Sequence, residues 1–239
     1  METIKGLGTA LVTPFKRGFV DFDALKNLIE YQISSNVDFI VAMGTTGESV
    51  TLSDTEIDQI VRFTVQTVNG RLPVVVGMGG NNTAALIEKM VNFNFDGVTA
   101  ILSASPAYNK PSQDGIYHHY AKLAEVAPVP IIMYNVPGRT GSNISARTAV
   151  RLAYDFEKIV GIKEASGDMS QAAEILRTKP EEFVVVSGDD PTAMPLISLG
   201  GEGCISVISN AWPAEFSEVI NYARQGDFKK ARKNHLILH

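Results

Sequence analysis

Short apolar runs alternate with longer amphipathic segments along the whole chain. The apolar runs predict strands over residues 6–13, 39–43, 73–77, 97–102, 130–134, 159–163, 183–187 and 204–207. The amphipathic segments predict helices over 23–34, 55–68, 83–94, 113–126, 146–154, 170–178, 193–199 and 215–224. Local punctuation agrees. Ser53-Asp54-Thr55-Glu56 has the form of a capping box, and Pro128 and Pro130 bar helix continuation before the fifth strand. Such alternation implies a parallel sheet, because parallel neighbours need crossover connections that are normally helical. Eight strand–helix units in about 225 residues match a closed (β/α)8 TIM barrel. An open doubly wound sheet is the rival, but when it binds a dinucleotide it shows a Gly-x-Gly-x-x-Gly turn. The nearest approach, Gly77-Met78-Gly79-Gly80-Asn81-Asn82, ends on Asn82, and there is no P-loop.

Composition narrows the class. The 239 residues allow one large domain or two small ones, and the 45 % hydrophobic and 20 % charged content is that of a globular chain without a low-complexity tract. A formal net charge of −5 argues against a nucleic-acid or anionic-membrane partner and leaves small-molecule work as the better expectation. The single cysteine, Cys204, makes no intramolecular disulfide or cysteine-based metal site; it reads as a small core residue in a reducing compartment. Residues 1–5 do not open a targeting segment, and no apolar run approaches the roughly 18 residues of a membrane span. A cytoplasmic location is expected.

Candidate chemistry lies where strands end, since a (β/α)8 barrel carries its active site at the carboxyl ends of its strands. The sixth strand runs from Ile159 straight into Lys163. A lysine so placed either snorkels to water or sits desolvated with a depressed pKa, and in the second case its free amine can attack a carbonyl carbon to form a Schiff base. Alternation puts Ile132 and Tyr134 on one face of the fifth strand, and Gly161 and Lys163 together on the sixth. Tyr134 is then a barrel tyrosine or a proton-transfer partner for the amine, in a relay with Thr45 and Tyr108. Gly44-Thr45-Thr46-Gly47-Glu48-Ser49 reads as a flexible loop or a carboxylate cradle of amides and hydroxyls. Arg139, after a Pro-Gly turn, is a solvated arginine or a bidentate carboxylate clamp. Glu48 reads as a supporting or helix-start carboxylate, and His118 and His119 as helix surface. His235 and His239 have i, i+4 spacing but no third metal ligand, so no metal is expected.

These motifs carry a resemblance. The loop at 44–49, Ala107-Tyr108-Asn109-Lys110-Pro111-Ser112, Tyr134-Asn135-Val136-Pro137-Gly138-Arg139-Thr140-Gly141, residues 161–167, Ser187-Gly188-Asp189-Asp190 and Gly203 to Asn210 follow the order and spacing of the dihydrodipicolinate synthases. The chain is similar to that family over nearly its whole length. The resemblance implies a Schiff-base aldolase barrel that condenses pyruvate with L-aspartate 4-semialdehyde in lysine and diaminopimelate biosynthesis. It needs no metal or dissociable cofactor. Lys163 would form the imine and Tyr134 act as general acid and base. Thr45 would relay protons between Tyr134 and a Tyr108 supplied by a neighbouring subunit. Thr46 would hold the pyruvate carboxylate and Arg139 the carboxylate of the semialdehyde, with Gly188 and the Ile205 main chain also at the substrate. A homodimer or dimer of dimers follows.

Two departures from the family pattern shape further expectations. The family continues into a helical C-terminal domain, so residues 1–225 are read as the barrel and 226–239 as the start of that largely absent region, with Leu236 and Leu238 lacking partners. Lysine-sensitive members carry histidine, glutamate and aromatic side chains where this chain has Asp54, Ile57, Ala85 and Ala107, although Ser49, Asn81 and Tyr108 remain; weak or absent lysine inhibition is expected. Three alternatives stand beside the synthase. N-acetylneuraminate lyases and 2-keto-3-deoxy-sugar aldolases share the lysine, tyrosine and glycine loop but lack the turn that carries Arg139. A barrel that only binds an oxo-acid is the second. The third, a phosphate-binding barrel isomerase, is disfavoured by Asp189 and Asp190 after the seventh strand, where a phosphate would be repelled.

Overall fold

The computed structural model describes residues 4–238. Eight parallel strands close into a barrel: β1 (Gly6–Ala10), β4 (Phe39–Ala42), β5 (Val74–Gly77), β6 (Ala100–Ala104), β7 (Ile131–Asn135), β8 (Ile159–Glu164), β9 (Val184–Ser187) and β10 (Gly203–Ser206), with β10 pairing back to β1. Between β1 and β4, the short strands β2 (Phe15–Lys16) and β3 (Phe19–Val20) pair with each other outside the barrel. The barrel crossovers are the helices α1 (Phe22–Ser34), α2 (Asp54–Val68), α3 (Thr83–Asn92), α4 (Gln113–Val126), α6 (Ala146–Asp155), α7 (Met169–Thr178) and α8 (Asp190–Ser198), and α9 (Pro213–Arg224) follows the last strand. Two more helices, α5 (Pro137–Thr140) and α10 (Phe228–Leu238), complete the order. All eight expected units are present, which settles the closed barrel against the open sheet.

Runs such as Val74-Val75-Val76 form strands because both faces are buried, one inside the barrel and one under helices. The inner face carries Phe39, Val41, Val75, Ile132 and Val184, while Ile101, Ile131, Met133 and Ile162 pack outward against α3, α4 and α6. The capping box is present: Glu56 N–H donates to Ser53 Oγ at 3.3 Å, and the Ser53 N–H donates to the Glu56 carboxylate at 2.9 Å. Ser145 caps α6 and Asp168 caps α7 in the same way, each side chain accepting from the first turn.

Two features go beyond the expected set, a hairpin and a one-turn helix. The β2–β3 hairpin turns at Arg17 and Gly18, both at positive φ. The Pro-Gly turn is the one-turn helix α5, with proline in its first turn. The last helix, α10, packs on α9 and α8. Several boundaries move, among them the end of β1, which stops at Ala10 rather than 13. β6 begins at Ala100 rather than 97 because Gly97 takes φ +77 and the Val98 N–H closes a turn onto the Phe95 carbonyl. α8 begins at Asp190 rather than 193 because Pro191 suits a first helical turn.

Two expectations about side chains are corrected. His119 is buried rather than surface, with Nδ1 2.8 Å from Thr83 Oγ1, and burial pushes its pKa down to about 4. Leu238 is packed against the cluster around Phe216 and Ile220, while Leu236 is 70 % exposed. His239 lies outside the described residues, as do residues 1–3. Among the described residues no helix is long and apolar enough to cross a membrane.

The β7–β8 ladder contains one irregularity. Ile131 pairs with Ile159 but Ile132 pairs with Gly161, leaving Val160 as an extra residue in β8. Such a bulge resets the two-residue alternation. Ile159 and Ile162 can therefore both face the helices, and Gly161 and Lys163 both face the barrel interior.

Replacement of Ser53 by alanine removes one half of the capping box and is expected to cost about 1 kcal/mol of stability. A urea unfolding midpoint unchanged from wild type would show that the cap bond is not formed in solution.

Candidate active site

Lys163 ends its apolar strand inside the barrel, 5 % exposed. It lies on the wall of a cavity of about 160 Å³ with Thr45, Thr46, Tyr134, Arg139, Gly188 and Asp189. Burial lowers its pKa from 10.5 to about 8, because removing the ammonium from water penalises the charged form. At 5 % exposure the side chain does not snorkel to solvent. Gly188 makes room for it: a Cβ there would lie 2.8 Å from Lys163 Cε and 2.9 Å from Cγ, inside van der Waals contact.

Tyr134 stands directly opposite Lys163 in the β7–β8 register, and the amine lies 4.4 Å from the centre of the phenol ring. Burial raises the phenol pKa, while the Arg139 charge and a hydrogen bond to the Thr45 side chain oppose that shift. A protonated phenol thus sits beside an amine that is partly deprotonated near neutrality, as carbinolamine formation and dehydration require.

Thr45 and Thr46 belong to a short 3-10 turn, Thr45–Gly47, at the end of β4. Met43 at φ +58 and Glu48 at φ +55 bend the chain on either side, and Thr13 Oγ1 donates to the Gly47 carbonyl at 2.6 Å, tying the loop to the end of β1. Gly77 lets the loop approach β5, since a Cβ there would strike the Met43 carbonyl. Arg139, exposed on α5, lines both this cavity and an adjoining one of about 310 Å³ that shares Thr45 and Tyr134.

The structure separates the other expected residues. Tyr108 is 90 % exposed at φ +70 and lines neither cavity. Ile205 is buried in the inner apolar cluster with Tyr134, and Val207, two residues on, reaches the cavity wall instead. Glu48 is exposed between two 3-10 turns and off the wall. The two carboxylates after β9 divide. Asp189 lines the cavity, whereas Asp190 accepts from the Val207 and Ile208 N–H groups at 3.1 and 2.9 Å, fixing the loop after β10. Cys204 is buried, its thiol pKa raised by desolvation.

Sequence reasoning assigned nothing to Val207, Ala165 or Met43, which line these cavities. It gave no role to the buried Asn135–Glu164 pair behind the site either. The signal for the pair was a carboxylate placed next to Lys163 on the opposite strand face, where a charge needs dedicated partners.

A (β/α)8 barrel with a desolvated lysine on its sixth barrel strand and a phenol in register on the fifth defines a class I, Schiff-base-forming aldolase. Comparison with known proteins places it more finely. Residues 3–238 match the model of the dihydrodipicolinate synthetase family, and the chain belongs to that family. It is 54 % identical over 232 residues to the 4-hydroxy-tetrahydrodipicolinate synthase of Cytophaga hutchinsonii, an alignment that covers 97 % of this chain and 78 % of the relative. It superposes on the dihydrodipicolinate synthase of Aquifex aeolicus with a TM-score of 0.95 at 42 % identity, covering 99 % of this chain and 80 % of that one. The chloride-inhibited dihydrodipicolinate synthase of Acinetobacter baumannii, solved in complex with pyruvate, gives a TM-score of 0.94 at 42 % identity, over 98 % of this chain and 80 % of that one.

The buried amine has a stability consequence. Lys163 binds its proton less tightly in the fold than in the unfolded chain, so the unfolded state holds more protons between about pH 8 and 10.5. Below that window the ammonium destabilises the fold by about 3 kcal/mol, and the cost fades as pH rises through it. Lys163→Met is therefore expected to melt higher than wild type at neutral pH, with the gap closing by about pH 10. Equal or lower melting at neutral pH would mean that the amine is solvated in the fold.

Proposed function

We propose that this chain is a 4-hydroxy-tetrahydrodipicolinate synthase, condensing pyruvate with L-aspartate 4-semialdehyde. Its family membership and the names of its relatives support this reading, and the observation that carries it is the buried Lys163 amine in register with Tyr134 on a cavity wall. The Nζ lone pair attacks C2 of pyruvate, and the carbonyl oxygen takes up a proton to give a carbinolamine. Tyr134, on the same cavity wall as Thr45, passes protons to that oxygen, which leaves as water, and the lysine imine remains. The protonated imine is an electron sink, so a methyl proton is lost and an enamine forms. The enamine carbon attacks the aldehyde carbon, and the aldehyde oxygen is protonated. The acceptor's own amino group then adds to the imine carbon, closing the ring and freeing Lys163.

In this reading Thr46 holds the pyruvate carboxylate at the loop after β4, and Gly188 keeps the lysine stem in place. The Ile205 main chain closes the floor of the site. Arg139, on the wall shared by both cavities, takes the carboxylate of the semialdehyde as a bidentate clamp, which favours the synthase over a sugar-acid aldolase. Tyr108, with its ring in solvent on its own chain, completes the Thr45 relay of a second copy in a homodimer or dimer of dimers. The catalytic unit is residues 1–225, with 226–239 as the start of a helical C-terminal region.

Incubation with pyruvate and borohydride is expected to leave a reduced pyruvate adduct on Lys163, located by peptide mapping. Tyr134→Phe should slow adduct formation by a factor of about ten or more. In a coupled assay, aspartate semialdehyde should be turned over far better than sugar aldehydes. A folded protein with no adduct would make this a binding barrel; an adduct with turnover of sugar aldehydes alone would make it a sugar-acid aldolase.

Lysine control is expected to be weak or absent. Ile57, Ala85 and Ala107 offer no polar side chain to an effector, and Asp54 is held by Lys89 at 2.7 Å. A steady-state rate strongly reduced by millimolar lysine would contradict this.

A further inference from the structure

Behind the site, on the outer face of the same two strands, lies a polar cluster that the condensation steps do not use. Asn135 and Glu164 are the residues next to Tyr134 and Lys163, and they are themselves a register pair. They are 0 % and 2 % exposed. Asn135 Nδ2 donates to both Glu164 oxygens, at 2.9 and 3.2 Å, and to Asn143 Oδ1 at 2.7 Å. Its Oδ1 accepts from the Ile144 N–H at 2.9 Å. Glu164 also accepts from the Ser166 N–H at 2.6 Å and from Gln171 Nε2 at 3.0 Å. Asn143 Nδ2 closes the ring by donating to Gln171 Oε1 at 2.7 Å.

Every group that donates to this carboxylate is a neutral N–H. An ionised carboxylate only accepts, so it dictates the direction of every amide around it: Asn135 and Gln171 must turn their NH2 groups inward, and Asn143 must follow. Burying such a group without a cation is costly unless its oxygens are satisfied, and here they are. The expense is explained by where the cluster sits. Val160 interrupts the β7–β8 ladder below, and the register that faces Tyr134 to Lys163 is set above it, in the run of pairs from Ile132–Gly161 to Asn135–Glu164. The Asn135–Glu164 side-chain bond closes that run one residue beyond the facing pair.

We propose that Glu164 and Asn135 are positioning residues that lock the Tyr134 phenol and the Lys163 amine into their facing register above the β8 bulge. Neither touches substrate; both act through the strands that carry the reacting groups. The proposal rests on the reading of Lys163 as the imine-forming lysine.

The test is the rate of pyruvate imine formation, measured by quenching with borohydride at short times, as a function of pH. Glu164→Gln replaces one acceptor with a donor and sets it against Ser166 N–H or the Asn135 and Gln171 amides. It is expected to slow imine formation at least tenfold. It should also move the pH midpoint of the reaction upward, as the loosened strand end lets water reach the amine. Asn135→Asp combined with Glu164→Gln reverses the polarity of the bond, and the flanking Asn143 and Gln171 amides can flip to match. This pair should recover most of the rate and return the midpoint. Gln171→Ala, at the half-exposed edge of the cluster, should give a milder slowing of two- to fivefold and is the variant to use if Glu164→Gln does not fold. A folded Glu164→Gln or Gln171→Ala protein with wild-type rate and midpoint, even if it melts lower, would overturn the proposal and leave the cluster a stabilising one. Absence of an adduct in wild type would instead remove the imine reading itself, so the two failures are distinguishable.

Discussion

The proposed chemistry depends on the desolvation of one amine, which the structure holds at a cost in stability. Lys163 is placed where the barrel strands converge on the cavity floor, with its stem against Gly188 and its amine beside the Tyr134 ring. Burial lowers its affinity for a proton, and that same loss makes it a nucleophile near neutral pH. The fold bears the cost. A 239-residue barrel with an inner core of Val, Ile, Phe and Leu has enough buried apolar area to hold one unfavourable charge, where a small domain would not. Closure of the sheet matters for the same reason: with β10 paired to β1 there is no open edge through which water reaches the amine.

Around this centre the elements divide their work. The strands carry the Lys163–Tyr134 pair, while the loops after β4 and β7 place hydroxyls and a guanidinium on the cavity wall. Each loop is anchored by a specific contact. Thr13 fixes the Thr45–Gly47 turn, Asp190 fixes the backbone at 207–208, and Thr140 Oγ1 donates to the Ser142 carbonyl at 2.7 Å behind α5. The bulge at Val160 shows how local irregularity serves chemistry. It resets the alternation so that Ile159 and Ile162 reach the outer core while Lys163 faces the cavity.

Much of this was legible in the chain. The apolar runs located all eight strand–helix units because buried parallel strands leave a strong signal, and the Ser53 capping box marked the start of α2 in a short motif. The Lys163–Tyr134 pair followed from alternation, although the bulge beneath it did not, since one extra residue in a strand has no composition of its own. The two-residue hairpin strands were missed because Phe15-Lys16 and Phe19-Val20 are too short to show a period. His119 was misjudged because helix α4 is covered on a broad face, so a histidine beside an exposed His118 is buried against Thr83. The Asn135–Glu164 cluster depends on four segments meeting in space, which no single stretch of sequence announces. Tyr108 stays outside its own chain's cavities, so the relay role proposed for it rests on the motif and not on one copy's geometry.

The most direct test of this mechanism is the titration of Lys163 itself in the substrate-free protein, followed by NMR of a ¹³C label at lysine Cε and assigned with Lys163→Met. A midpoint near 8 is predicted. A Lys163 midpoint of about 10.4, the value of a lysine in water, would contradict it: the amine would be solvated, and burial would not be the source of its reactivity.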